Sequence, residues 1–442
     1  MHDRCLVANV WLIIATAIFI GWPNLAMAED FKANYDEASV PAYTLPDPLI
    51  DEAGRPVTSA EAWTTKRRPE ILRLFKTQVY GRAPQQKPTL EFKVESVDDA
   101  ALGGKAIRKE VTITVVTAKG RVPLHLLLYV PKQEKPAPVF LGLNFQGNQA
   151  VHTDPGITLA SAWLLNHPEQ GINEHRATED SRGGEASRWQ VEKVIARGYA
   201  VATICCGDIE PDTEDGLSKG VRALFLRDGQ TAPDADEWGT VAAWAWGLSG
   251  ALDYLETDPL VDAKHVTVFG HSRFGKAAIW AGACDPRFAI VISNESGCCG
   301  AALSKRIFGE TVGRINTKFP HWFCGNLHKY NEKESELPVD QHELLALIAP
   351  RPLYLASAEG DRWADPRGEF LSAQHAEPVY HLFGLKGLGV TDMPPVNHPV
   401  GDTIGYHIRT GKHDVTAYDW EQYMAFADRH FKAQNAPKPT RN

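Results

Sequence analysis

The sequence has no Cys-x-x-Cys pair, no His-Glu-x-x-His run and no helically spaced His pair, so the usual zinc and dithiol redox motifs have no footing. It has no excess of positive charge either. Its 46 basic residues are outnumbered by 55 acidic ones, a formal charge of −9, which disfavours coating a nucleic acid or relying on anionic lipid. No internal repeat, low-complexity tract or linker divides the chain, and no second long apolar run follows the one near its start. Seven cysteines in 442 residues are too few for a disulfide framework. What is present is an ordinary globular composition, 43% hydrophobic and 23% charged, long enough for one large or two moderate domains. The 12 Trp could serve stacking surfaces or the core, and the count alone separates neither.

Arg4, the apolar run Leu6–Ile20 and the small-residue pattern Ala26-Met27-Ala28 predict a signal peptide over residues 1–28, cut before Glu29. Export to the periplasm or the medium is therefore expected. Cys5 precedes the apolar run, so no lipoprotein acceptor is suitably placed. The other six cysteines include the adjacent pairs Cys205-Cys206 and Cys298-Cys299, which follow apolar runs and are expected to be buried thiols. Their pairing is not deducible from spacing.

Residues 29–100, rich in Pro and acidic side chains, read as an N-terminal wrap of the domain that follows, with a helical stretch near Glu70–Phe75. Alternating apolar positions at 111–115 and 122–130 around Lys119-Gly120 predict a β-hairpin. From there strands and helices alternate. Strands are expected at 139–144, 199–204, 265–269, 288–293, 352–357 and 379–383, with helices at 187–197 and 236–257 and a last one at 419–431 capped by Asp419. This is an α/β fold with a mostly parallel sheet and an antiparallel N-terminal edge, a single catalytic domain over 101–434 followed by a tail at 435–442. In such sheets the chemistry sits on loops at the carboxyl ends of the strands.

One of those loops is Gly270-His271-Ser272-Arg273-Phe274-Gly275-Lys276, between a strand and an alanine-rich helix. A Ser at a sharp strand-to-helix turn flanked by glycines is the nucleophile elbow of α/β-hydrolases, although here the second glycine comes one position late. Ser272 is thus the candidate nucleophile. Chain order in that fold is Ser, acid, His. Glu295 and Asp361 are the candidate acids, and Asp361 holds the position most hydrolases use. Among His381, His398, His407, His413 and His430, the base is best placed at His413, in a polar stretch before the final helix. The Arg273 backbone N–H, next to the nucleophile, is a candidate oxyanion donor.

These residues resemble a known family. The elbow, Asn294-Glu295-Ser296-Gly297, Phe308-Gly309-Glu310-Thr311, Pro320-His321-Trp322-Phe323-Cys324, Leu337-Pro338-Val339-Asp340-Gln341-His342, Gly360-Asp361-Arg362-Trp363-Ala364-Asp365-Pro366 and the Gly207-Asp208-Ile209-Glu210-Pro211 turn are similar to those of bacterial glucuronoyl esterases, carbohydrate esterase family 15. The resemblance implies an α/β-hydrolase three-layer sandwich and a serine esterase. It would cleave the ester between 4-O-methyl-glucuronic acid branches of xylan and lignin alcohols, as a monomer with no cofactor or metal. It also implies Glu295 as triad acid with Asp361 beside it, the Arg273 guanidinium as an oxyanion donor, and Lys276, Glu310 and Trp363 as sugar-binding residues. His321 and Trp322 are expected to line the cleft. The Cys pair that bridges nucleophile and base loops in fungal relatives is replaced here by His271 and Asp414, so that disulfide cannot form. An acetylxylan or broader carboxylic-ester hydrolase is the alternative enzyme, and a secreted glycan-binding protein on a disused hydrolase scaffold the non-enzymatic one.

Overall fold

Among the described residues, ten strands form one sheet whose middle is parallel and whose first edge is antiparallel. The computed structural model describes residues 31–434, so the expected signal peptide and the tail at 435–442 lie outside the described residues. The first edge is β1 (Thr89–Ala100), β2 (Ala106–Thr117) and β3 (Gly120–Pro131), with the β2–β3 turn at the predicted Lys119-Gly120. β4 (Ala137–Asn144), the small β5–β6 hairpin (Ile172–Asn173, Arg176–Ala177), β7 (Ala200–Cys205), β8 (Val261–His271), β9 (Ile290–Asn294), β10 (Leu353–Ala358), β11 (Val400–Gly401) and β12 (Ile404–Arg409) follow. The order in the main sheet is β1-β2-β3-β7-β4-β8-β9-β10-β12-β11, and the run from β7 to β12 is parallel.

Strand alternation feeds two apolar layers. Leu124, Leu126 and Leu128 pack into one layer while Leu127 and Tyr129 pack into the other, and Leu353 and Leu355 part in the same way from Tyr354 and Ala356. Helices α1 (Arg68–Gln78), α4 (Thr240–Leu255), α5 (Arg273–Cys284) and α6 (Pro366–Leu382) cover the first layer. The short α2 (Ala186–Trp189) and α3 (Val191–Ala196), with α7 (Ala417–Gln434), cover the second. This is the three-layer α/β sandwich expected from the sequence. Among the described residues no helix is long and apolar enough to cross a membrane.

Several elements differ from the sequence reading. The end of the expected N-terminal wrap is β1, the outer strand of the sheet. The single helix expected at 187–197 is broken at Gln190, which adopts φ 46° between α2 and α3. Residues 379–383 are no strand. Val379 and Tyr380 lie in the last turns of α6, which bury Phe370, Ala373, Ala376, Val379 and Tyr380 at helical spacing despite Pro378. β12 is a strand that the sequence reading does not predict, since His407 and Arg409 interrupt its apolar residues. Both are buried, and both are satisfied by Asp419, whose carboxylate lies 2.9 Å from His407 Nε2 and accepts from Arg409 Nε at 2.8 Å. Asp419 is accordingly not the N-cap of α7. It sits inside the first turn and accepts from the Thr416 N–H at 2.7 Å. The six described cysteines are free thiols, all buried except Cys284.

Candidate active site

β8 delivers its last residue, His271, straight into Ser272, which is held at φ 58°, ψ −127° before α5 begins at Arg273. A non-glycine residue there is strained, and the packing around it enforces the turn. A Cβ on Gly270 would stand 2.0 Å from the Phe274 carbonyl oxygen, and one on Gly275 2.9 Å from Ser293 Oγ. The late glycine is thereby explained: it is Gly275 that lets α5 close on β9, while Phe274 is buried with its ring 4.2 Å from that of Phe145. The Ser272 N–H donates to the Asn294 carbonyl at 2.9 Å, tying the turn to the neighbouring strand.

The next three parallel strands each end in one of the other candidates. Glu295 follows β9, Asp361 follows the end of β10, and His413 follows β12. Nδ1 of His413 lies 2.6 Å from Asp361 Oδ2 and 3.1 Å from Glu295 Oε2. Both carboxylates are buried, whereas 41% of the His413 side chain stays exposed. Glu295 also accepts from Arg409 Nη2 at 2.6 Å and from the Asp414 N–H at 3.1 Å. Burial pushes Glu295 up to about 7, against the pull of His413 and Arg409. Burial would lower His413, but its bonds to Asp361 and Glu295 outweigh that and raise it to about 9. Among the described residues these three form the one set of ligand-type side chains whose atoms lie within 4.8 Å of one another. Nδ1 of His413 thus faces both carboxylates, and Arg409 bridges Glu295 to Asp419.

The residues flanking the candidate nucleophile and base, His271 and Asp414, make non-covalent contacts. The His271 ring centroid is 4.4 Å from that of His413, and His271 Nδ1 lies 2.5 Å from Asn294 Oδ1. Burial keeps His271 well below the usual imidazole range, and so uncharged beside His413. Asp414 accepts from Arg188 Nε at 2.6 Å.

Ser272, Glu295, Asp361 and His413 open on a cavity of about 420 Å³ whose walls include Arg273, Lys276, Glu310, Phe319, Trp322 and Trp363. Lys276 is buried and donates to the Ser296 and Cys298 carbonyls at 2.6 Å each, with Glu310 Oε2 at 3.4 Å. The Glu310 N–H donates to the Trp363 carbonyl at 3.0 Å, joining two segments of the wall, and Trp363 is 36% exposed. The Arg273 guanidinium pairs with Asp212 and lies 4.8 Å from the centroid of Trp322. His321 is not among the residues lining this cavity. Its Nε2 lies 2.9 Å from Asp212 Oδ1.

Sequence reasoning did not single out Arg409, Asp212 or Glu369. Glu369 is buried behind the cavity, where it accepts from the Gly297 N–H at 3.0 Å and Ser357 Oγ at 2.6 Å. Burial pushes it up to about 8. It thus holds the loop whose carbonyls hold Lys276. No local pattern marks these residues, although Asp212 directly follows the Gly207–Pro211 turn.

A family model described as glucuronyl esterase, fungi, matches residues 232–384, which include Ser272, Glu295 and Asp361. A promiscuous CE15 esterase from the marine bacterial metagenome superposes with a TM-score of 0.85 at 53% identity, covering 90% of this chain and all of that one. A glucuronoyl esterase from Solibacter usitatus gives 0.84 at 55% identity over 89% of this chain and 100% of that one. A 4-O-methyl-glucuronoyl methylesterase from Phanerochaete carnosa is 33% identical over 355 residues, 77% of this chain and 72% of that protein.

Proposed function

The chain belongs to the glucuronoyl esterases of carbohydrate esterase family 15, carboxylic ester hydrolases, and on that premise we propose that it frees lignin alcohols from 4-O-methyl-glucuronoyl esters of xylan through an acyl-Ser272 intermediate. The observation that carries this reading is the single cavity in which a strained Ser272 meets a His413 held by two carboxylates, beside the buried Lys276–Glu310 pair.

Ser272 Oγ attacks the C6 carbonyl carbon of the uronoyl group, and its proton passes to Nε2 of His413. The new Oγ–C6 bond moves the carbonyl electron pair onto oxygen. That oxyanion is met by the Arg273 N–H, which in the first turn of α5 has no acceptor within the helix, and by the Arg273 guanidinium. Collapse breaks the bond from C6 to the alcohol oxygen, and the departing alkoxide takes the proton from Nε2. Water then attacks the acyl-enzyme, gives its proton to His413, and the free uronic acid leaves as Ser272 recovers the proton. With Nδ1 donating to Asp361 and Glu295, Nε2 is left as the basic nitrogen.

Lys276, Glu310 and Trp363 would receive the sugar, since hydroxyls need paired polar groups and the ring an aromatic face. Trp322 contributes a second ring. The apolar run and small-residue site at 6–28 support export before action on cell-wall material. Ser272→Ala should abolish alcohol release from benzyl glucuronate while leaving thermal unfolding intact. Persistent turnover in that variant would sink the assignment. A preference for acetylated xylan or p-nitrophenyl acetate over glucuronate esters would point to the broader esterase.

A further inference from the structure

Arg273 is the cationic side chain nearest the nucleophile in sequence, and what holds it in place is Asp212, directly after the Gly207–Pro211 turn, a motif to which the reaction assigns no part. That turn is built rigidly. Glu210 is fully buried, with Oε1 accepting from Arg222 Nε at 2.5 Å and Thr240 Oγ1 at 3.0 Å, and its carbonyl accepts from Trp244 Nε1 at 2.9 Å. The next residue but one, Asp212, is 9% exposed and accepts from three side chains. Oδ2 takes Nη1 of Arg273. Oδ1 takes Trp322 Nε1 at 2.7 Å and His321 Nε2 at 2.9 Å.

His321 Nδ1 is buried without a hydrogen-bond partner, so the ring carries its hydrogen on Nε2, where the carboxylate needs it. Burial works against the charge on Asp212, yet His321, Arg273 and Trp322 hold it down to about 2. The guanidinium plane is also confined by rings, with Trp322 at 4.8 Å, Phe319 at 5.4 Å and Phe145 at 5.8 Å from Cζ. Only one end of the fork is spent on Asp212, and Nε has no protein partner, so the head group keeps donor capacity in reserve.

We propose that Asp212, itself fixed by His321 and Trp322, is a positioning residue that sets the Arg273 guanidinium where the oxyanion forms. This rests on the esterase mechanism above and gives His321 a task outside the cleft. An arginine held in advance needs no reorganisation as charge develops, so the contribution falls on the transition state and not on the bound ester.

The test is a double-mutant cycle of Asp212→Asn and Arg273→Ala, with kcat and KM measured on methyl glucuronate and on p-nitrophenyl acetate. Asp212→Asn is expected to lower kcat about 10- to 100-fold with KM changed less than about threefold, and Asp212→Glu to restore part of the loss. In the Arg273→Ala background the same change should have little further effect, because Asp212 acts through Arg273. Equal losses in both backgrounds, or a loss confined to KM, would overturn the proposal. Should Asp212→Asn not fold, His321→Ala takes its place in the cycle, with coupling again expected and additivity again decisive against. Both substrates form an oxyanion. Turnover of p-nitrophenyl acetate alone would therefore reject the glucuronate reading while still reporting the Asp212–Arg273 coupling.

Discussion

Asp361 Oδ2 lies 2.6 Å from His413 Nδ1, half an ångström closer than the Glu295 oxygen that faces the same atom at 3.1 Å. One N–H cannot serve two acceptors equally. Glu295 divides its oxygens among Arg409, the Asp414 N–H and His413, while Asp361 makes the shorter contact.

Asp361→Asn should therefore cost more than Glu295→Gln: about 100-fold in kcat against about tenfold, both below the ~10⁴ lost when a lone triad acid is neutralised. Steady-state kinetics on benzyl glucuronate would decide this. A larger loss from Glu295→Gln would assign Asp361 the secondary part.

The pH profile follows from the same contacts. His413 must be neutral to accept the serine proton, and the two carboxylates favour its imidazolium form, raising it to about 9. The kcat/KM profile of the free enzyme should climb with pH towards about 9. Removing the Asp361 charge weakens the imidazolium, so the ascending limb of Asp361→Asn should move to lower pH even as its plateau drops. An unmoved limb would show that His413 is not the titrating group.

The His271 ring, one residue before Ser272, lies 4.4 Å centroid to centroid from that of His413. His271→Ala removes that wall and leaves Asn294 Oδ1 without its ring nitrogen partner. We expect kcat to fall about tenfold with little change in KM, since the base and not the sugar wall is loosened. A rise in KM alone would place His271 in substrate binding.

Lys276→Met keeps the stem and removes the ammonium, leaving the Ser296 and Cys298 carbonyls unpaired in a buried site. Two effects should separate: a loss of about 2 kcal/mol in unfolding free energy from the orphaned acceptors, and a tenfold or greater rise in KM for glucuronate esters with p-nitrophenyl acetate little affected. Equal effects on both substrates would make Lys276 purely structural.

What the sequence by itself determined is what short-range pattern can carry. The hairpin around Lys119-Gly120, the buried parallel strands and the strand-Ser272-helix turn are local events, set by side-chain alternation and by glycines adjoining their own turn. The tertiary structure alone decided where polarity could be buried. His407 and Arg409 hide β12 in the sequence, because the Asp419 that satisfies both lies on the next helix. Residues 379–383 look like a strand in isolation, and only the buried helical face of α6 shows otherwise. The supports of the site are equally non-local: Arg409 reaches Glu295 across 114 residues and Asp212 reaches Arg273 across 61. A charged side chain is tolerated in the interior when a partner compensates its desolvation, and that partner is chosen by the fold, not by its neighbours in the chain.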